Sequence, residues 1–368
     1  MRKKETPNPS RVRGRGVEVS ETLFYAQKYV DGAKGDVSGN GMYRRGKRSI
    51  IKRKNKKRGG GCSMKTEKRK SIIELVIFFG ITFGVNFAIG IPMYITHNIS
   101  AGLFTNLLTL LPASGALLAQ YYCKREKKKG RWLFLIWTFI LLLLVAFAII
   151  KPELLEIIEE YSTNVLLIGS IVLLAYLVIG ENREHVFENG EMVHKDLLLF
   201  VFLSLVRNSI SIFPDVINGN IQGIKDIAFG VITISEAFVT VVIFYGEEYG
   251  WREYLQEKLQ KRLGKRAGVV VLGIIWWGWH LPLWMSMGIT IWEILTNLIF
   301  VIGCSAFFGY IYMKTHNVWL CAIAHGITNA MALGMAETPF SDFVKTIFGI
   351  VLCMYFLKKE YKEDVGIV

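Results

Sequence analysis

Residues 132–150 read WLFLIWTFILLLLVAFAII, nineteen positions without one charged side chain. A bilayer core takes about 20 such residues as a helix, because lipid offers no partner to backbone N–H and C=O groups and a helix satisfies them internally. Working outward, the same pattern recurs in ten segments, at about 72–95, 102–123, 132–150, 164–180, 197–214, 227–246, 267–284, 291–313, 318–335 and 343–357. The fifth and tenth are the weakest, the fifth because it carries Arg207 and Asn208. Dropping one or both leaves nine or eight. The fold class that follows is all-α, a polytopic transmembrane helix bundle of about ten helices.

Composition agrees. The 368 residues are 52% hydrophobic and 13% aromatic, with a mean hydropathy of +0.35, too apolar for an ordinary soluble protein. The net charge of +14 suggests a nucleic-acid partner until it is located. Residues 1–63 hold 18 Lys and Arg against 5 Asp and Glu, whereas residues 64–368 hold 26 against 25. A nearly neutral apolar body behind a basic leader argues for a membrane protein with no nucleic-acid partner. Five scattered cysteines without a C-x-x-C pair argue against a disulfide framework or a thiolate zinc site. With the N-terminus inside, the inner connections (65–70, 124–131, 181–196, 247–266, 314–317 and 358–368) hold 22 Lys and Arg, and the outer ones hold only Lys151 and Lys225. That bias fits the positive-inside rule with ten crossings.

The leader, residues 1–63, reads as a disordered basic tail against anionic lipid. A second reading comes from Arg58-Gly59-Gly60-Gly61 ahead of Met64, which can be encoded by a bacterial ribosome-binding sequence and spacer. Met64 would then be the true start, and the leader translated upstream DNA.

Ionisable groups within membrane helices are costly and are functional candidates by default. Three clusters occupy the second half. In Glu247-Glu248-Tyr249-Gly250-Trp251-Arg252, at the inner end of the sixth segment, Glu248 and Arg252 are four apart and can pair on one helix face. Glu247 is turned about 100° away. A plain ion-pair clasp at the membrane boundary is the alternative. In Trp276-Trp277-Gly278-Trp279-His280-Leu281-Pro282, His280 lies inside an apolar segment. Pro282 cannot donate to the Gly278 carbonyl, which predicts a bend and a free acceptor beside the imidazole. A structural histidine among tryptophans reads equally well. In His325-Gly326-Ile327-Thr328-Asn329 an imidazole and an amide again stand four apart, and helix-to-helix hydrogen bonding is the alternative. Glu236, three turns before Glu247 on the same face, could line the same cavity with Arg207 neutralising it, and Asn297 could serve that cavity or bond a neighbouring helix; each reads first as structural.

In chain order, E-E-x-x-x-R, W-x-x-x-H and H-x-x-x-N resemble the CPBP family of type II CAAX prenyl endopeptidases, abortive-infection proteins and bacteriocin-immunity proteins. The resemblance covers about residues 227–335. Each motif alone is weak, and the ordered set is specific. Trp276 stands where the family pattern has Phe. Four regions follow: the leader 1–63, N-terminal transmembrane helices 64–226, a CPBP-like catalytic core 227–335, and the last helix and cytoplasmic tail 336–368.

The resemblance implies an intramembrane endopeptidase of a bacterial cell membrane, its N-terminus cytoplasmic, hydrolysing a hydrophobic peptide or membrane-protein substrate in the lipid bilayer. Glu247 is then the general base for water, since a carboxylate shielded from bulk water is a better base. His280 orients or deprotonates that water, and His325 and Asn329 donate to the oxyanion. Glu248 and Arg252 support the helix end. Glu247, His280 and His325 are also acceptable zinc ligands with a fourth position for water, although H-E-x-x-H is absent; metal-free glutamate chemistry is the expectation, and no cofactor is assigned. A bacteriocin-immunity or binding protein on the same scaffold would not need all four polar groups. A proton-coupled transporter should show an internal repeat, and none is found. Depth poses a conflict: His280 lies roughly 20 Å past residue 267 at 1.5 Å per residue, while Glu247 sits at the inner boundary. The two meet only if the Glu247 helix runs deeper than its hydropathy indicates.

Overall fold

The computed structural model describes residues 69–96, 100–123, 131–179, 186–239, 241–332 and 338–360. The chain divides into Met1–Lys65 and Thr66–Val368, and all that follows concerns the second unit. The leader and the proposed Met64 start lie outside the described residues.

Each of the ten apolar segments is helical over most of its described residues. Helices α1 (Arg69–Thr96), α2 (Ala101–Tyr122, with a turn at Thr109 and Leu110) and α3 (Leu133–Ile150) are followed by α4 (Leu155–Ile179), α5 (His194–Ser211) and α6 (Gln222–Val239). Helix α7 (Val241–Glu248) runs on through a π-helix, Tyr249–Gln256, into α8 (Glu257–Leu263). Then come α9 (Lys265–Ser286), α10 (Ile291–Thr315), α11 (Val318–Ala330) and α12 (Pro339–Glu360). No strand occurs among the described residues. By length and composition seven of these can cross a membrane: α1, α2, α3, α4, α9, α10 and α12. The thirteen-residue α11 is shorter than a span, and α5 and α6 are interrupted by Lys195, Asp196 and Arg207, and by Lys225, Asp226 and Glu236.

The boundary expected at Glu247 is displaced. Residues 247–263 are helical rather than a connection, and Tyr249, Trp251, Arg252, Tyr254, Leu255 and Gln256 are buried. The stretch is too polar to register as a span because protein, not lipid, surrounds it. Its packing is close. A Cβ on Gly250 would lie 2.5 Å from the backbone carbon of Pro112 in α2, so only glycine lets these two elements touch. Helices α10 and α12 use the same device, since a Cβ on Gly303 would strike the Gly349 carbonyl. Small residues are how helices approach where water supplies no driving force.

The six connections expected on one side are joined to one another by side-chain bonds. Arg262 donates to Ser71 at 3.0 Å and Arg131 to Glu253 at 2.9 Å. Tyr312 donates to Glu257 at 2.9 Å. Asn189 donates to the Thr315 carbonyl at 3.0 Å and Asn317 to the Glu188 carbonyl at 2.9 Å. Asp196 accepts from Lys359 and from Tyr310, both at 2.6 Å. One end of the bundle therefore gathers the start of α1, α3 and α5, the π-helix and α8, and the ends of α10 and α12. Between successive members of that set the chain leaves and returns, which makes ten passes. The opposite pattern marks the outer faces of the peripheral helices. Ile95, Ile150, Ile179 and Phe202 are exposed, as lipid-facing side chains must be.

Candidate active site

The carboxylate pair sits inside the bundle, with its two members facing different ways. Glu248 is fully buried. Its Oε2 accepts from Arg252 Nε at 2.6 Å, and its Oε1 accepts from His325 Nδ1 at 3.0 Å. Arg252 Nη1 donates to Ser305 Oγ of α10 at 3.1 Å, and Ser305 Oγ donates to the Val269 carbonyl of α9 at 3.0 Å. The guanidinium lies over the rings of Trp276, at 5.4 Å, and Phe308, at 5.6 Å. Glu248 and Arg252 are thus a neutralised pair, as expected. The unexpected part is that Glu248 also holds His325. Nδ1 of His325 is thereby committed, and Nε2 is the nitrogen left to face a substrate.

Glu247 is buried as well, at 4% exposure, but is held by much less. The indole N–H groups of Trp251 and Trp276 are its polar neighbours. Neither is aligned for a full hydrogen bond, because Glu247 Oε2, Trp251 Nε1 and Trp276 Nε1 are all buried without a partner. Glu247 lines a cavity of about 550 Å³ together with Trp276, His280, His325, Thr328 and Asn329. The three clusters, 33 residues apart or more along the chain for Glu247 and the histidines, converge on this one space. The depth conflict is resolved by the continuation of α7 through the π-helix. Such widened turns recur at functional sites.

His280 is half-buried, and its Nδ1 lies 2.9 Å from the Trp276 carbonyl. A carbonyl can only accept, so Nδ1 carries a proton and Nε2 is left free. Trp284 stacks on the imidazole at 4.9 Å and 11°, and Trp279 meets it edge-on at 4.8 Å. Helix α9 continues through Pro282. The carbonyl that takes a side-chain donor there belongs to Trp279, which accepts from Asn86 Nδ2 at 2.6 Å, rather than to Gly278. Trp276, in the position where the family pattern has Phe, meets the His325 ring edge-on at 5.3 Å and the His280 ring at 5.7 Å. Its larger ring fits between the two histidines.

Asn329 lines the cavity and is solvent-exposed, on the same face of α11 as His325. Among the described residues no group of three or more His, Cys, Asp or Glu is arranged to hold a metal ion. The trio considered for zinc, Glu247, His280 and His325, does not form such a group. Glu236 lies in α6, and its side chain falls outside the described residues. Asn297 and Arg207, set aside from sequence as structural, both line the cavity. Ser305 went unnoticed, and a serine in an apolar helix gives no signal of its own.

Among curated proteins none matches the chain. Residues 230–331 match the family model Rce1-like, described as type II CAAX prenyl endopeptidase Rce1-like. That interval is under a third of the chain and contains all three motifs, from Glu247 to Asn329. Residues 230–331 of this integral membrane protein are therefore an Rce1-like domain, similar to the type II CAAX prenyl endopeptidases among the CPBP intramembrane proteases.

Proposed function

We propose that the protein hydrolyses a peptide bond in a hydrophobic or membrane-associated substrate by glutamate-activated water, without a resident metal. The observation that carries this reading is the asymmetry of the carboxylate pair: Glu248 is saturated by Arg252 and His325, while Glu247 lines the cavity and its buried Oε2 has only the misaligned indole N–H groups of Trp251 and Trp276 as polar neighbours. A carboxylate held by no cation, in a site shielded from bulk water, is available to take a proton from water. His280 offers the lone pair of Nε2 and orients the same water. The water oxygen attacks the scissile carbonyl carbon, and its proton passes to Glu247.

Charge then develops on the carbonyl oxygen. With Nδ1 donating to Glu248, His325 donates from Nε2 only when both ring nitrogens carry protons, and Glu248 at 3.0 Å balances that charge. The Asn329 amide is the second donor. Preorganised donors in a site of low dielectric account for roughly 10²–10³ in rate apiece. Glu247 then returns its proton to the leaving amine. The substrate would enter from the bilayer, and the bundle end bearing the basic connections would face the cytoplasm of a bacterial cell.

The test is purified protein in nanodiscs incubated with a bacterial membrane proteome, with new N-termini identified by mass spectrometry beside Glu247→Ala. New termini with wild type alone support peptidase chemistry at this site. Identical termini with both proteins would remove it.

A further inference from the structure

The cavity is closed toward one end of the bundle and open toward the other. On α11 its face passes from buried to exposed with distance from the basic end: His325 and Thr328 are buried, and Asn329 and Ala332, one turn on, are exposed. Helix α9 shows the same gradient, from the buried Trp276 through the half-buried His280 and Trp284 to Met287 at 58% exposure. Thr105 and Asn106 near the start of α2, and Ser341 and Lys345 near the start of α12, complete a half-exposed rim. In the other direction the described residues close it. Trp251, Phe308, Ile311, Trp319 and Cys321, one or two turns nearer the basic end, are at most 2% exposed, and none of them lines the cavity. The bonds from Glu248 through Arg252 and Ser305 to Val269 cross there as well.

Helix rise gives the depths. At 1.5 Å per residue, Cys304 at the base of the cavity stands roughly 17 Å from Thr315, the basic end of α10. Ser341 on the rim stands roughly 27 Å from Lys359, near the basic end of α12. Met287 stands roughly 33 Å from Lys265, where α9 begins. A hydrocarbon core of about 30 Å puts that rim at the far side of the bilayer and the base of the cavity near its middle. Beside the rim, Met287, Ile291, Trp292 and Leu295 expose apolar side chains at the corner of α9 and α10, and tryptophan at such a depth fits a membrane–water interface. The closed floor argues against a path through the membrane.

We infer that the cavity opens to the extracytoplasmic face of the membrane, so that its substrate is a peptide segment lying in the outer membrane interface, exported or exposed there by a membrane protein. The inference rests on the proposed function and names its substrate class. The basic connections, which would face the cytoplasm, lie at the closed end. A peptide in the cytoplasm would have to pass the buried floor to reach Glu247. A segment arriving from the other side meets Asn329 on the way to Glu247 without crossing packed core. Asn106, Asn329 and Ser341 share the rim with Met287 and Ile289, which suits a segment with one polar and one apolar face.

The test is thiol labelling in sealed membrane vesicles, with the wild-type chain setting the baseline for its native cysteines. Thr328→Cys lies within the cavity, Ala332→Cys on its rim, and Lys261→Cys on the exposed end of α8 at the basic end. The probe is a methanethiosulfonate carrying a trimethylammonium group, which does not cross a bilayer and needs an accessible thiolate. Right-side-out vesicles should show labelling of Thr328→Cys and Ala332→Cys and loss of it at Lys261→Cys, and inside-out vesicles the reverse. Labelling of the two cavity positions from inside, from both sides or from neither would overturn the inference. So would Lys261→Cys reacting from outside, or a folded Thr328→Cys that stays unlabelled. If Thr328→Cys does not fold, the exposed Ala332→Cys decides. Cleavage is not read here, so failure of the peptidase reading shows only in the mapping of new N-termini. There, termini are expected in extracytoplasmic segments, and termini confined to cytoplasmic segments would also overturn the inference.

Discussion

Two neighbouring glutamates do different work because a helix turns by about 100° per residue. Glu248 faces Arg252 and His325, and Glu247 faces the cavity. Glu247→Gln keeps the shape, removes the proposed base and leaves no ion pair broken. It is expected to abolish peptide cleavage while shifting the melting temperature very little. Cleavage within a few-fold of wild type would place the base elsewhere. Asn329 tests the other half of the reaction. Its side chain is exposed and spans no helix-to-helix bond, so Asn329→Ala should fold normally. With an oxyanion role, kcat falls by roughly 10²–10³ and KM hardly moves, since the contact matures in the transition state. Purified wild type should then carry almost no zinc and should resist chelators. About one zinc per chain, lost in His325→Ala and kept in Asn329→Ala, would show instead that His325 is a ligand.

At the scale of elements, Glu248 joins α7 to α11 through His325, and Arg252 joins the π-helix to α10 through Ser305. Either residue replaced alone strands a buried charge, at a cost of about 3–5 kcal/mol. The double reversal Glu248→Arg with Arg252→Glu restores the pair but sets a guanidinium against His325 Nδ1. Stability should recover in part and activity should not, as read by thermal melting and peptide cleavage. Full recovery of activity would mean that the contact with His325 is dispensable. This bridge was hidden in the sequence. A pairing at i,i+4 is visible from spacing alone, which is why Glu248 and Arg252 could be matched. A bond across 77 positions leaves no local mark. The motif residues themselves were legible because a His or Glu within apolar surroundings stands out. The π-helix was not, because hydropathy measures fitness for lipid, and Tyr249–Gln256 is buried by protein.

For the whole molecule, the number of spans and the number of passes give different topologies. Seven helices meet the length and composition of a crossing, and an odd count places the start of α1 and the end of α12 on opposite sides. The bonds at the bundle end say otherwise. Lys359, at the close of α12, meets Asp196 at the start of α5. Asn189 and Asn317 join that region to the end of α10, Tyr312 joins α10 to Glu257, and Arg262 joins α8 to Ser71 at the start of α1. A continuous set of side-chain bonds at one end cannot straddle the bilayer, so α1 begins and α12 ends on the same side. The short α11 and the charged α5 and α6 complete the even count, with protein rather than lipid around their polar groups. Under the positive-inside rule the basic residues concentrated at that end predict that it faces the cytoplasm. Green fluorescent protein fused after Val368 should therefore fluoresce in bacterial cells, and alkaline phosphatase fused there should be inactive. Alkaline phosphatase inserted at Asn218, in the turn between α5 and α6, should be active. An active phosphatase at Val368 would break the even count and with it the placing of the cavity between ten passes.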